Sequence, residues 1–488
     1  MEWNEIDIRA IVEGVLGRLE PGAEKQDESL VLVKPACALH ADGQAEAADG
    51  LFADIDRAAE AARKAQEELM EIPLDRRRNM IRAIRKTILA HAEVLSMMAV
   101  EETGFGRVTD KIEKHRLVAL RTPGVEDLDP SAFTDEHGMT LVERAPYGVI
   151  GSLIPSTNPT TTVVNNTISM IAGGNAVVFH PHPGAVKCSG HAVSLVQQAI
   201  REAGGPENLV TALSVPSLET ARAMMKYPDI RLLVVTGGPA VVREAMGSGK
   251  KVIAAGPGNP PCVVDETADL VKAGRDIVRG AGFDNNIVCI CEKEILAVAG
   301  IADRLQEEMK KNGAFALNRT QMEKITQLVL SDPGKPGQAG TVNKAMVGKD
   351  AGYIASHIGL NVPGDIRILF SEVSADHPLV WTEQLLPVIP LVRFAHVQQA
   401  MEFAVECEHG YRHTAVMHSR NIANLSRMAR LMNCSIFVKN GPSYSGLGMG
   451  GAGFTSFTIA SPTGEGLTRA RTFTRERRCT LVDYFRIV

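Results

Sequence analysis

The chain has 488 residues, 45% of them hydrophobic and 22% charged, with a formal net charge of −5 and only 5% aromatics. This length exceeds one ordinary core and calls for two or three domains, while the charge and the scarcity of aromatics argue against a nucleic-acid surface. No apolar run of about 18 residues occurs, so no membrane span is expected; eight cysteines without a CxxC pair fit a reduced, cytoplasmic setting better than a disulfide scaffold.

Residues 1–20 read as one amphipathic helix. Ile8, Ile11, Val12, Val15, Leu16 and Leu19 repeat at helical spacing, and Pro21-Gly22 stops the pattern. Residues 21–50 are rich in Ala, Asp, Glu and Gly and read as a linker. The helix either packs on the main domain or docks its apolar stripe into a partner; the long tether favours docking.

From Leu51 to about Arg121 the pattern is helical and charged. From Gly148 it changes to short apolar strands alternating with helices: strand 149–154, helix 160–171, strand 175–179, helix 185–203, strand 209–213, helix 217–226, strand 231–235, helix 239–246 and strand 251–254. Such alternation predicts a parallel, doubly wound α/β sheet of nucleotide-binding type. A second α/β region follows, with helix 267–281, strand 293–297, helix 301–311 and strand 387–393 as its clearest elements. Thr480 to Val488 alternate in part, which suggests an edge strand able to pair with another subunit. The expected division is a nucleotide-binding domain over 51–258, a thiol domain over 259–455 and a C-terminal return over 456–488. Residues 125–145 join that return in an oligomerisation arm.

Cys289 is the candidate nucleophile. A thiolate attacks carbonyls and leaves readily, and here it follows a turn-forming Asp284-Asn285-Asn286 run. A lone cysteine is more often a small buried hydrophobe, and Cys262 and Cys291, set in apolar runs, read that way. The loop Pro155-Ser156-Thr157-Asn158-Pro159 lies where a sheet's carboxyl edge meets ligand. Asn158 or Thr157 there could donate to an oxyanion together with the Cys289 N–H. The same residues also suit a helix N-cap with Pro at its start, and both readings can hold. Thr236-Gly237-Gly238 sits between a strand and a helix, where glycine lets a dinucleotide phosphate approach the helix N-terminus. His409, His413 and His418 lack a carboxylate or cysteine at metal-ligand spacing. They read mainly as histidines shaping a pocket, with a thiol base as the sharper alternative.

Several segments taken together resemble one family. Pro146-Tyr147-Gly148-Val149-Ile150-Gly151, Ile154-Pro155 with Asn158-Pro159, Gly174-Asn175-Ala176-Val177-Val178, Thr236-Gly237-Gly238, Phe283-x-Asn285 with Cys289, and Glu383-x-x-x-Pro387 occur in the order of the aldehyde dehydrogenase superfamily. The runs over 155–161, 180–184, 255–261 and 463–471 are similar to its CoA-acylating branch, as found in bacterial microcompartments. The resemblance implies a Rossmann-type domain, an α/β catalytic domain and a small β oligomerisation arm. It also implies NAD and coenzyme A as cofactor and co-substrate. Ser156, His180, Pro181, Thr236, Gly237, Gly238, Gly256 and Glu383 then fall at the cofactor, with Glu383 against the nicotinamide ribose. His180 stands where hydrolytic relatives place a lysine.

The hydrolytic members carry a glutamate base in a Glu-Leu-Gly-Gly segment; here the stretch is Ala254-Ala255-Gly256-Pro257-Gly258. With no carboxylate there, an acyl-cysteine waits for a thiol, and the expected product is a short acyl-CoA. The resemblance further implies a homo-oligomer, dimer or tetramer, in which residues 1–20 bind microcompartment shell proteins. Two other readings keep parts of this account: an acyl-phosphate reductase of the same fold, and a shell-associated scaffold with a vestigial site.

Overall fold

The computed structural model describes residues 50–487. The helix expected over 1–20 and nearly all of the linker expected over 21–50 lie outside the described residues. After Leu51–Phe52 (β1), the charged stretch forms three helices, Ile55–Met70 (α1), Leu74–Thr103 (α2) and Val108–Arg121 (α3). Local chemistry sets their ends. Asp54 caps α1 by accepting from the Arg57 N–H, and Gly104 closes α2 in the left-handed region at φ 69°.

An antiparallel hairpin comes next, Ser131–Asp135 (β2) and Gly138–Pro146 (β3). The alternating region then runs Val149–Leu153 (β4), Pro159–Ala172 (α4), Ala176–His180 (β5), Val186–Glu202 (α5), Val210–Leu213 (β6), Leu218–Lys226 (α6), Ile230–Thr236 (β7), Pro239–Met246 (α7) and Lys251–Ala255 (β8). These bounds lie within about two residues of the sequence expectation, because Pro, Gly and Ser caps punctuate each change of period. β4 and β5 are buried along their whole length, as parallel strands covered on both faces must be.

The first sheet has the order β1-β6-β5-β4-β7-β8, and all its pairs are parallel. The chain leaves β4 toward β5 and β6 on one side and returns to β7 on the other. The carboxyl ends of β4 and β7 therefore flank a topological switch point, where ligands bind in such sheets.

The second sheet is built from Pro261–Val264 (β9), Glu294–Val298 (β10), Ala314–Ala316 (β11), Ile368–Glu372 and Val388–Phe394, then Thr414–His418 and Ile436–Lys439. Leu330–Asp332 (β12) and Thr341–Val342 (β13) form a separate small ladder, so the last four strands are β14, β15, β16 and β17. The order is β11-β14-β15-β10-β9-β16-β17, again parallel. The helix after β9, Leu270–Ala281 (α8), starts three residues later than the pattern suggested. Thr267 instead turns back on Asp265, donating both N–H and hydroxyl to its carboxylate, and Asp269 becomes the cap.

A short ladder of Ile459–Ala460 (β18) and Gly466–Leu467 (β19) precedes the last strand, Thr474–Val482 (β20). That strand begins and ends earlier than expected. It pairs with β3 in the order β2-β3-β20 and stops where Asp483 turns to φ 67°. Among the described residues no strand pairs with its outer edge. Among the described residues no helix is long and apolar enough to cross a membrane.

Candidate active site

Only five residues, 256–260, join the end of β8 to the start of β9. The carboxyl ends of the first sheet and the amino ends of the second must therefore meet there. β15, β10, β9 and β16 are neighbours in the second sheet. Glu383, Cys289, Gly258 and His413 each lie just ahead of one of them, in that order.

The turn before Cys289 is the most unusual backbone in the chain. Asp284, Asn285 and Asn286 all have positive φ, at 48°, 56° and 64°. L-residues rarely enter this region, and Asn and Asp tolerate it best. Each side chain is tied down. Asn285 Oδ1 accepts from Arg107 Nε at 2.8 Å, and its amide donates to the Gly348 carbonyl at 2.9 Å. Asn286 donates to the Ala281 and Glu292 carbonyls at 2.8 and 2.9 Å. Asp284 is fully buried; its carboxylate accepts from the Arg107 N–H at 2.7 Å, from Lys111 Nζ at 3.0 Å and from Lys114 Nζ. Gly106 (φ 76°) passes so close that a Cβ would lie 2.0 Å from Asp284 Oδ1. The turn presents Cys289 half-buried, whereas Cys262 and Cys291 are fully buried.

α3 is the clamp on this turn. Asp110 accepts the Asp284 N–H at 2.9 Å and also pairs with Arg367. Lys114 donates to Asn158 Oδ1 at 2.5 Å as well as to Asp284. His115 touches Thr160 Oγ1 at 2.9 Å. Asn158 occupies the N-cap of α4 with Pro159 at the first helical position, yet its side chain makes no capping bond. Because an ammonium only donates, Lys114 fixes the Asn158 amide with its oxygen inward and leaves the Nδ2 donors turned away. Ser156 and Thr157 are half-buried and make no such anchoring bond among the described residues.

Lys111, Lys114 and His115 were not singled out from sequence. They share one helix face with Val118 at spacings of three, four and seven, so a polar interruption of the buried stripe was the available signal.

Burial pushes the Cys289 thiol up to about 12, and the Glu383 carboxylate adds to the effect. Burial likewise raises Glu383 to about 7; its Oε1 accepts the Gly258 N–H at 3.2 Å. At Gly258 a Cβ would lie 2.9 Å from the Cys289 carbonyl and 3.0 Å from the His413 ring. Glycine is needed where these groups converge. Burial lowers His413 to about 4. Its Nδ1 meets Thr414 Oγ1 at 2.9 Å, and its Nε2 is buried without a partner among the described residues. No group of three His, Cys, Asp or Glu able to hold a metal occurs among the described residues.

Thr236, Gly237 and Gly238 lie at the carboxyl end of β7, beside the switch point. Among the described residues Thr236 Oγ1 is buried without a partner and a Cβ on Gly238 would meet nothing within 4 Å, and α7 begins there. His180 and Pro181 lie at the end of β5, where His180 Nε2 is turned to Thr220 Oγ1 at 2.9 Å and the Ser217 carbonyl at 3.2 Å. Gly256 has a packing reason as well, since a Cβ would lie 2.8 Å from Pro462. Thus Gly258 links Glu383 to Cys289, and Lys114 and Asp284 link Asn158 to the turn before Cys289, while the residues at the ends of β5 and β7 make no hydrogen bond to this cluster among the described residues.

Comparison with known proteins bears on this arrangement. Residues 23–325 match the model of the aldehyde dehydrogenase family. The chain is 49% identical over 486 residues to the acetaldehyde dehydrogenase (acetylating) EutE of Salmonella typhimurium, covering 99% of this chain and 100% of that one. It superposes with a TM-score of 0.87 on a propionaldehyde dehydrogenase of Rhodopseudomonas palustris solved with bound CoA and an acylated cysteine. That pair shares 48% identity over 90% of this chain and 99% of the other. A propionaldehyde dehydrogenase from the Clostridium phytofermentans fucose utilisation bacterial microcompartment also matches with a TM-score of 0.87, at 47% identity over 90% of this chain and 100% of the other.

Proposed function

This chain belongs to the aldehyde dehydrogenase family, and from that premise we infer that it is a CoA-acylating aldehyde dehydrogenase. It oxidises a short aliphatic aldehyde, propionaldehyde or acetaldehyde, with NAD and CoA to the acyl-CoA and NADH. The observation that carries the reading is Cys289, held half-buried by a strained and fully bonded turn, with no carboxylate across Ala254 to Gly258.

Each residue has a place in the chemistry. The Cys289 sulfur bonds to the aldehyde carbon as its thiol proton passes to solvent, leaving negative charge on the former carbonyl oxygen. The oxygen that gains charge is met by the Asn158 amide and the Cys289 N–H, with Thr157 beside them. When bound, NAD supplies the hydride acceptor and a positive ring that offsets Glu383 next to the thiol. Thr236, Gly237 and Gly238 receive the dinucleotide at the start of α7, with Ser156, His180, Pro181 and Gly256 at the neighbouring strand ends and Glu383 toward the nicotinamide ribose. After hydride transfer the acyl group remains on Cys289 as a thioester. CoA then enters the same crevice, its sulfur bonds to the acyl carbon and the Cys289 sulfur leaves. The proton of the incoming CoA thiol ends on the departing Cys289 sulfur, and His413, held neutral by burial, shapes the pocket beside Gly258.

The docking of residues 1–20 on a microcompartment shell, and a location within such a compartment in the cytoplasm, are supported by the amphipathic pattern and by the microcompartment origin of a close structural match. Assembly into a dimer or tetramer is supported by the open edge of β20 and by exposed Phe133, Leu481, Val482, Tyr484 and Phe485 on that arm.

Mass spectrometry of the enzyme mixed with NAD and propionaldehyde, without CoA, tests the site. A propionyl adduct on Cys289 that disappears when CoA is added is expected. It should be absent from Cys289→Ala and present in Cys291→Ala; an adduct on Cys291 would move the nucleophile there.

A further inference from the structure

Lys114 is a fully buried ammonium with no substrate-contacting task in the chemistry above. Its side chain is 1% exposed and that of Asp284 0%. Neutralising Asp284 does not by itself require Lys114, since Lys111 Nζ already lies 3.0 Å from the same carboxylate. Of the other charges around the turn, Asp110 pairs with Arg367, Arg107 pairs with Asp350, and Lys293 Nζ donates to the Asn286 carbonyl at 2.9 Å and to its side-chain oxygen. Two ammoniums on one carboxylate leave an excess positive charge, which burial disfavours. Lys114 has one further partner, Asn158 Oδ1 at 2.5 Å.

We propose that Lys114 is a positioning residue for the oxyanion. It fixes the Asn158 amide, polarises it, and links it through Asp284 to the turn that presents Cys289. Three physical effects act together. The ammonium sets which end of the amide faces inward, because it can only donate. Drawing density toward Oδ1 strengthens the Nδ2–H donors, as in any hydrogen-bond chain. The donor is also oriented before the reaction begins, so no reorganisation is needed as charge develops. Asn158 follows β4 in the first sheet and Asp284 lies five residues before Cys289 in the second. The chain Asn158–Lys114–Asp284 therefore keeps donor and nucleophile in register across the two sheets. This inference rests on Asn158 being the oxyanion donor.

The test is the pre-steady-state burst of NADH, with kcat and KM for propionaldehyde, in the full-length enzyme and four variants: Asn158→Ala, Lys114→Met, both together, and Lys114→Met with Lys111→Met and Asp284→Asn. The last removes all three charges of the Lys111, Lys114 and Asp284 cluster, leaves no lone buried charge, and serves if Lys114→Met alone does not fold. Losing an oxyanion donor lowers the rate about a hundredfold or more. Lys114→Met and the charge-free triple variant are expected to slow the burst about tenfold with KM unchanged. Adding Lys114→Met to Asn158→Ala should change the rate by less than about twofold, since one route is already broken. A wild-type burst without Lys114, or a loss that multiplies in full on Asn158→Ala, would overturn the positioning role alone. A wild-type burst in Asn158→Ala would overturn the oxyanion reading and this inference with it.

Discussion

Cys289 is a protonated thiol at rest, because burial and the Glu383 carboxylate both oppose its charge. The contribution of Glu383 depends on pH. With its own carboxyl raised to about 7, Glu383 is largely ionised at pH 8 and largely neutral at pH 6. Replacing it by Gln keeps the acceptor for the Gly258 N–H and removes the charge. Iodoacetamide should then alkylate Glu383→Gln at Cys289 faster than the wild type at pH 8, by about tenfold for each unit by which the thiol falls, and equally fast at pH 6. Identical rates at both pH values would mean that Glu383 does not act on the thiol. At this scale the sequence was informative where a residue type is rare in its setting. A cysteine after Asp284-Asn285-Asn286 stands out, and so does Asn158 between Thr157 and Pro159. Lys111 and Lys114 did not stand out, because a lysine in a charged helix is normally solvated. Only the packing of α3 against the turn shows them buried. His413 read mainly as a pocket-shaping histidine, but the neighbour it packs on, Gly258, is more than 150 residues away in sequence.

The elements carry the site through their ends. Strand and helix limits were legible because apolar runs, prolines and caps mark them locally. What no local pattern carries is which ends meet. That follows from the five-residue passage between β8 and β9 and from the neighbouring order of β15, β10, β9 and β16. The clamp between α3 and the nucleophile turn also has a narrow tolerance. Gly106, just before α3, has φ 76° and leaves no room for a Cβ beside Asp284. Gly106→Ala must accept a left-handed conformation costing about 1–2 kcal/mol and displace a buried carboxylate. The variant is expected to melt several degrees lower and to lose at least about tenfold in kcat, measured by calorimetry and NADH formation. Wild-type turnover would show that the turn does not depend on this contact.

Across the whole molecule, two parallel sheets divide the work. On the proposed reading the first receives a dinucleotide at its carboxyl ends, at the switch between β4 and β7, and the second brings the amino ends of four strands to the thiol chemistry. Nothing in this core requires residues 1–20. Deleting them should leave kcat unchanged and abolish co-purification with microcompartment shells; a truncated enzyme still enclosed would place the docking surface elsewhere. The central claim is that the acyl-cysteine awaits a thiol because the stretch from Ala254 to Gly258 lacks the carboxylate that would activate water. The direct measurement is steady-state NADH formation from NAD and propionaldehyde with and without CoA under reducing conditions. Sustained turnover only with CoA, yielding propionyl-CoA, is the predicted result. Equal turnover without CoA, yielding propionate, would contradict it.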